Sequence, residues 1–334
     1  MKMIGGPARV GAMSLATILL GMLVAAAPAG ATNWKTYSYN PTATHPAIVG
    51  LEKMAEQIDK ATNGKIKMKV SVGGSLPISA TDITQAVADN VVQVGADGFF
   101  LGNIRIGGVL RLPLLLTTRD QYEKAAEIME PYLEKALAKQ GVTLLAQYLY
   151  PLQVAWSSRE LKSLEDIKGQ KLRVTSPEQG EFVKRFGGIP VTIGAPEVAS
   201  SLQRGVVNGV FTASAGGGRI WKEMLKYNYR LGPNWFNSLI IVNTKAFDRL
   251  SDKEKQAVRK AAQDAAAWMT ETMKGEESQI TKELAAGGMV VTEPTQAQID
   301  AGVAKMRDYW PQWAKEVGPE AEEALAKVRK AIGQ

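Results

Sequence analysis

From Asn33 onward, short runs rich in β-branched residues alternate with segments whose apolar residues recur at helical spacing. That alternation restricts the chain to sheets of largely parallel strands covered by helices. Asn33 to Tyr39 reads as a strand, and Pro46 to Ala61 reads as a helix carrying Ile48, Leu51, Met54, Ala55 and Ile58 on one face. Asn63-Gly64 stops that helix and opens the alternating strand Lys65 to Val70, which completes a βαβ unit. A second unit follows, with a helical Thr81 to Asp89 leading into a strand over Val91 to Gly95.

The pattern continues with a long helix from Asp120 to Gln140, kinked at Pro131 and broken by Gly141 before the strand Val142 to Tyr148. Ser163-Leu164-Glu165-Asp166 resembles a capping box opening a short helix that stops at Gly169, and the strand Lys171 to Val174 comes directly after. Pro177 to Phe186 is a helix ended by Gly187-Gly188, Val191 to Ile193 is a strand, and Pro196 starts a helix to about Arg204. Ser251-Asp252-Lys253-Glu254 is a capping box for the longest helix, striped by Val258, Ala261, Ala262, Ala265, Trp268, Met269 and Met273. Its length, beyond about 20 residues and so roughly 30 Å, lets one element run along two lobes. The segment from Thr295 onward is again helical. The expectation is an α/β protein with two sheets, one in each lobe.

Residues 1–31 carry Lys2 and Arg9, no acidic residue, an apolar stretch from Ala12 to Ala27 and the small residues Ala29-Gly30-Ala31. This is the order of a secretory leader cleaved after Ala31, and it predicts export to the periplasm. The 303 residues that remain are too many for one simple core, and their net charge is +5, from 38 basic and 33 acidic residues. The chain has no cysteine, which removes disulfides, thiol nucleophiles and thiolate metal ligands. It has one histidine, His45, read as a surface cap ahead of the first helix, which removes multi-histidine zinc sites. No Gly-x-Ser-x-Gly or paired-carboxylate motif points to an enzyme, and no cofactor motif is found. Gly216-Gly217-Gly218 lacks the Lys-Ser/Thr of a phosphate loop and reads as a turn. Basic and acidic residues interleave, which argues against nucleic acid as a partner.

Several segments, in order, resemble the periplasmic solute-binding proteins of tripartite ATP-independent periplasmic (TRAP) transporters, of the dicarboxylate-binding type. They are Thr44-His45-Pro46, Thr62 to Ile66, Gly73 to Leu76, Leu112 to Leu115, Ser163 to Val174, Glu197-Val198, Leu202 to Gly209 and Val242 to Phe247 with Leu250-Ser251. The resemblance implies a two-lobed cleft protein of the type II binding-protein kind, with two crossover strands and the long helix as its hinge. The lobes would be 32–150 with 239–278, and 151–238 with 279–334. It also implies a monomeric, non-enzymatic receptor that delivers an organic acid to the permease subunits of a TRAP transporter. A receptor for an ATP-driven importer or a sensor is the alternative within binding proteins, and a periplasmic enzyme on a cleft fold is the alternative outside them.

The resemblance places the carboxylate-gripping arginine at Arg173, and the chemistry suits it: guanidinium presents a planar fork of donors that matches two carboxylate oxygens and keeps its charge when desolvated. Position 173 falls at the carboxyl end of its strand, where ligands of parallel sheets sit. Gln153 stands where sialic-acid binders place a second basic residue, and Ala195 stands where relatives often have phenylalanine, which predicts one charge contact and a wider cleft. Phe99, Trp156, Trp235 and Phe236 are candidate aromatic walls, and Thr212, Ser214 and Gln153 candidate hydrogen-bonding groups. The expected ligand is an aromatic or 2-oxo monocarboxylate.

Overall fold

The computed structural model describes residues 31–334 together with Met1. The secretory leader expected N-terminal of that range lies outside the described residues. In chain order the elements are β1 (Thr32–Ser38), α1 (Pro46–Ala61), β2 (Ile66–Ser71), α2 (Ile83–Ala88), β3 (Val94–Asp97), α3 (Arg119–Ala138) and β4 (Val142–Ser157). Next come β5 (Lys171–Val174), α4 (Pro177–Arg185), β6 (Ile189–Thr192), α5 (Ala195–Gln203), β7 (Gly209–Thr212), α6 (Arg219–Trp221) and β8 (Tyr227–Asn243). The chain closes with α7 (Thr244–Asp248), α8 (Asp252–Ala286), β9 (Val290–Thr292), α9 (Gln296–Met306), α10 (Tyr309–Val317) and α11 (Pro319–Ala331). No helix among the described residues is long and apolar enough to cross a membrane.

All the strands join one sheet in the order β2-β1-β3-β8-β4-β7-β5-β6, with β9 beside β8. This differs from the expectation of two separate sheets, and the reason is length. β4 has 16 residues and β8 has 17, about 50 Å of extended chain each, so the antiparallel β4–β8 pair belongs to both ends of the sheet. Short parallel strands flank the pair: β1 with β2 and β3 on one side, β7 with β5 and β6 on the other. The β4–β8 register shifts between Leu144 and Ala146 and again on both sides of Gln153, so the pair bends where the two halves meet.

Helix boundaries follow the sequence signals closely where caps are present. Ser251 and Glu254 form the predicted capping box, and α8 runs 35 residues from it, about 52 Å, straight through the open position at Gly275. Thr118 and Gln121 cap α3 in the same way, and Pro131 stays inside a helix that does not stop. The strand read at Val91 starts instead at Val94. Asn90 turns the chain at φ 59°, and Val91 is left 54% exposed.

The main core lies between the sheet and α1, α3 and α8, with Met269 packed onto Gly50 of α1. A second cluster, Val154, Trp156, Val198, Val210, Trp221, Leu225, Leu284 and Met289, fills the far end of the sheet. Gly209, at the start of β7, makes that end possible. A Cβ there would stand 2.3 Å from the Trp156 carbonyl oxygen and 2.6 Å from Leu172 Cδ2. Gly209→Ala should therefore lose about 1 to 3 kcal/mol, the range for overpacking a filled core. The check is a lowered urea midpoint at unchanged slope; a midpoint equal to the parent's would mean that β7 can move away from β4 freely.

Candidate functional site

Where β5 ends, the Arg173 side chain turns into the space between the two halves of the sheet and is 4% exposed. Its Nε donates to the carbonyl of Ile193 at 3.1 Å and its Nη1 to that of Phe211 at 3.3 Å. The rings of Phe99 and Trp221 lie 5.6 and 5.7 Å from the guanidinium carbon. No carboxylate among the described residues lies within ion-pair distance of it, since the pairs formed involve other cations. Burial draws its pKa down to about 10, so the group is still charged at neutral pH. A desolvated cation held by two carbonyls and no anion is a site short of one negative charge.

The cavity beside it holds about 40 Å³ and is lined by residues of both halves of the sheet, among them Tyr39, His45, Tyr150, Gln153, Thr212 and Phe236. Its floor is aromatic. Tyr39 meets Phe99 and Phe236 edge-on at 5.5 and 6.1 Å, and Phe236 meets Tyr150 at 5.3 Å. Gly98 permits this packing, because a Cβ there would lie 2.6 Å from Phe236 Cζ. The Tyr39 hydroxyl donates to that of Tyr150, which donates to Asn40 Oδ1 at 3.2 Å. Beneath the floor, Arg111 is wholly buried and stacks on Phe236 at 4.2 Å, with Nε on Asn237 Oδ1 and Nη2 on the Gly98 carbonyl. Asp97 locks the same turn, accepting from Thr84 N, Thr84 Oγ1 and Phe99 N.

Of the residues singled out from the sequence, Arg173, Gln153, Thr212 and Phe236 line this cavity, and Phe99 stands behind it against Arg173 and Phe236. Gln153 is held by its own turn, Nε2 donating to the Pro151 carbonyl at 3.0 Å. The Thr212 hydroxyl accepts from Gly217 N at 2.9 Å. Three others are not brought to the cavity. Trp156 is fully buried in the second core with Nε1 on the Thr212 carbonyl. Ser214 is buried between Thr281 and Arg230. Trp235 faces away, donating to the Leu116 carbonyl beside Tyr122. Ala195, from which a wider cleft was expected, lines the cavity together with Ile220 and Trp221. The glycine run is a structural turn, as read from the sequence, and Glu277 of α8 takes its Ser214 and Ala215 amides at 3.1 and 2.8 Å.

His45 was read as a surface cap, and half of that reading holds. Its Nδ1 accepts from Ala47 N at 3.1 Å and caps α1, yet the ring is 3% exposed, 5.8 Å from that of Tyr150, and lines the cavity. Burial first, and the charge of Arg219 second, lower its pKa to about 3 from 6.5. A group neutral in the folded state and protonated in the unfolded one makes stability fall as pH drops from 6.5 toward 3. His45→Asn keeps an N-cap oxygen and removes this titration. The stability difference between parent and variant should thus decrease by up to about 1.4 kcal/mol per pH unit below pH 6, read from urea unfolding. A difference constant with pH would mean that His45 titrates alike in both states.

Comparison with known proteins places this geometry. The profile of the family described as bacterial extracellular solute-binding protein, family 7 (DctP) matches residues 37–316. The ectoine-binding periplasmic protein TeaA of Halomonas elongata is 25% identical over 272 residues, covering 76% of this chain and 74% of TeaA. Two crystal structures of Bordetella pertussis extracytoplasmic solute receptors that bind pyroglutamic acid superpose with TM-scores of 0.83. DctP6 is 27% identical, and DctP7 is 25% identical. Each covers 90% of this chain and is itself covered completely.

Proposed function

The chain belongs to the family-7 bacterial extracellular solute-binding proteins, the dicarboxylate-type receptors of TRAP transporters, and from that membership we propose that it captures a compact monocarboxylate and presents it to a membrane permease. The observation that carries this reading is the buried Arg173 guanidinium, which lacks a counter-ion and opens onto a small cavity with aromatic walls. A ligand carboxylate would supply the missing charge and use the donor edge that Ile193 and Phe211 leave free.

The volume and the walls select within the organic acids. About 40 Å³ lies well below the roughly 300 Å³ at which pockets for drug-sized ligands begin, so the occupant is small. One guanidinium, with Gln153 where a second cation would stand, favours a single carboxylate over two. Tyr39, Tyr150, Phe236 and Trp221 offer flat apolar surface for a short body. Pyroglutamic acid, named for DctP6 and DctP7, and ectoine, named for TeaA, are both single carboxylates on a small nitrogen ring. We take a five-membered ring acid of the pyroglutamate type as the leading ligand and short 2-oxo monocarboxylates as the next class; phenyl-bearing acids ask for more room.

In this reading the lobes are residues 32–150 with 239–278 and residues 151–238 with 279–318, hinged where β4 and β8 shift register around Gln153. Residues 319–334, whose helix α11 packs on α3, move with the first lobe. Capture is a shift of population toward the closed form, because the ligand touches groups from both sides of the hinge. The receptor acts in the periplasm as a monomer, its leader removed after Ala31, and the permease reads the closed form.

Isothermal titration with pyroglutamate should show binding that Arg173→Ala weakens by about 2 to 5 kcal/mol, roughly 30- to 5,000-fold, the range for unpairing a buried charge. Binding unchanged in a folded variant would remove Arg173 from the site. Melting temperatures raised by sugars or amines alone, and by no monocarboxylate, would overturn the ligand class.

A further inference from the structure

We propose that His45 is the second anchor of the ligand, a donor whose Nε2–H binds the carbonyl oxygen of an oxo acid and so sets the preference for oxo acids over plain ring acids. The proposal rests on the monocarboxylate reading of Arg173 and adds to it the recognition of the ligand's other polar end.

The tautomer follows from the helix. Nδ1 of His45 accepts the Ala47 amide at 3.1 Å, and a ring nitrogen that accepts carries no proton, so the proton of the neutral imidazole is on Nε2. Nδ1 points back at α1, which leaves Nε2 on the opposite edge of the ring. Nε2 has no hydrogen-bond partner among the described residues and keeps some accessibility, although the ring as a whole is 3% exposed. His45 lines the cavity together with Arg173. The ring cannot turn to hide Nε2, since rotation would uncap α1 and disturb the packing on Tyr150. In a form closed over a ligand, a donor left without an acceptor is costly, and a ligand carbonyl removes that cost.

Position adds selectivity to chemistry. His45 enters from the end of β1 and Arg173 from the end of β5, on opposite sides of the central β4–β8 pair. A ligand with a carboxylate at one end and a carbonyl at the other ties the two sides together. One that lacks the carbonyl leaves the His45 donor unpaired in the closed form. Such a donor discriminates against analogues that cannot accept from it.

Two carbocyclic acids isolate the effect: 3-oxocyclopentanecarboxylate, which has the ring carbonyl and no N–H, and cyclopentanecarboxylate, which has neither. The parent should bind the oxo acid about 10- to 100-fold more tightly by isothermal titration, the range for leaving one buried hydrogen-bonding group unpaired. His45→Asn, which keeps the cap and shortens the reach, should bring that ratio close to one, whatever the change in affinity for the plain acid itself. Because the chain has a single histidine, 15N-histidine spectra of the parent read the site without assignment. They should show the Nε2–H tautomer, with the Nε2–H proton resonance moving downfield when the oxo acid is added. A ratio unchanged by His45→Asn, or an Nδ1–H tautomer in the spectra, overturns the role of His45 and leaves Arg173 standing. Absence of binding by either acid and by pyroglutamate overturns the ligand class and this inference with it.

Discussion

The structure is organised around one uncompensated charge. Burying a guanidinium without an anion costs several kcal/mol, and the fold tolerates it because Ile193 and Phe211 supply carbonyl dipoles and Phe99 and Trp221 supply ring faces. None of these neutralises it. Arg111, a few ångströms deeper in the aromatic floor, makes a useful contrast. It is equally buried and also stacks on a ring; Asn237 and the Gly98 carbonyl accept from its Nε and Nη2, its Nη1 has no partner among the described residues, and Glu178 and Asp97 favour its charge as Glu197 favours that of Arg173. The two buried arginines thus differ in setting: Arg111 lies beneath the aromatic floor, and Arg173 lines the cavity.

Holding Arg173 open requires a frame that does not collapse onto it. The β4–β8 pair provides the frame, since two strands of 16 and 17 residues carry both ends of the sheet and cannot shorten. α8 braces them over about 52 Å, and its Glu277 reaches across to hold the Ser214–Ala215 amides and Arg230. Those amides would otherwise form an anion-binding turn near the site. With an internal carboxylate already on them, the glycine run is closed to outside anions, and Gly217 is free to let Trp221 pack within what a Cβ would occupy.

Much of this was legible in the sequence, for identifiable reasons. Caps are local, so the starts of α1 and α8 were readable to the residue, and Arg173 was singled out by the resemblance to TRAP receptors, with its place at a strand end in agreement. What could not be read depends on distant contacts or on register. Trp156 and Gln153 sit on one strand, and which face each takes depends on the shifts on both sides of Gln153, which no periodicity in the sequence reveals. Ser214 left the site because Thr281 and Arg230 claim it, and both come from later elements. The two sheets became one because strand length past Tyr148 was hidden by Pro151, which here sits at the bend.

His45 shows how a local signal can be right and still conceal function. Thr-His-Pro before a helix reads as a cap, and a cap is what the Nδ1 atom is. The cap, though, uses one of two ring nitrogens, and the sequence says nothing about the other. Its fate is decided by Tyr150, more than a hundred residues away, which buries the ring and turns a surface loop into a cavity wall. Any side chain with two polar atoms can divide them in this way between the fold and the ligand. Where it does, the structural bond fixes the orientation and protonation of the functional atom, so the helix cap itself pre-organises the donor. The same division appears at Arg173, with Nε and Nη1 given to the chain and the remaining donors without a protein acceptor among the described residues. In the proposed reading, selectivity draws on atoms whose neighbours on the same side chain are already committed to holding the protein together.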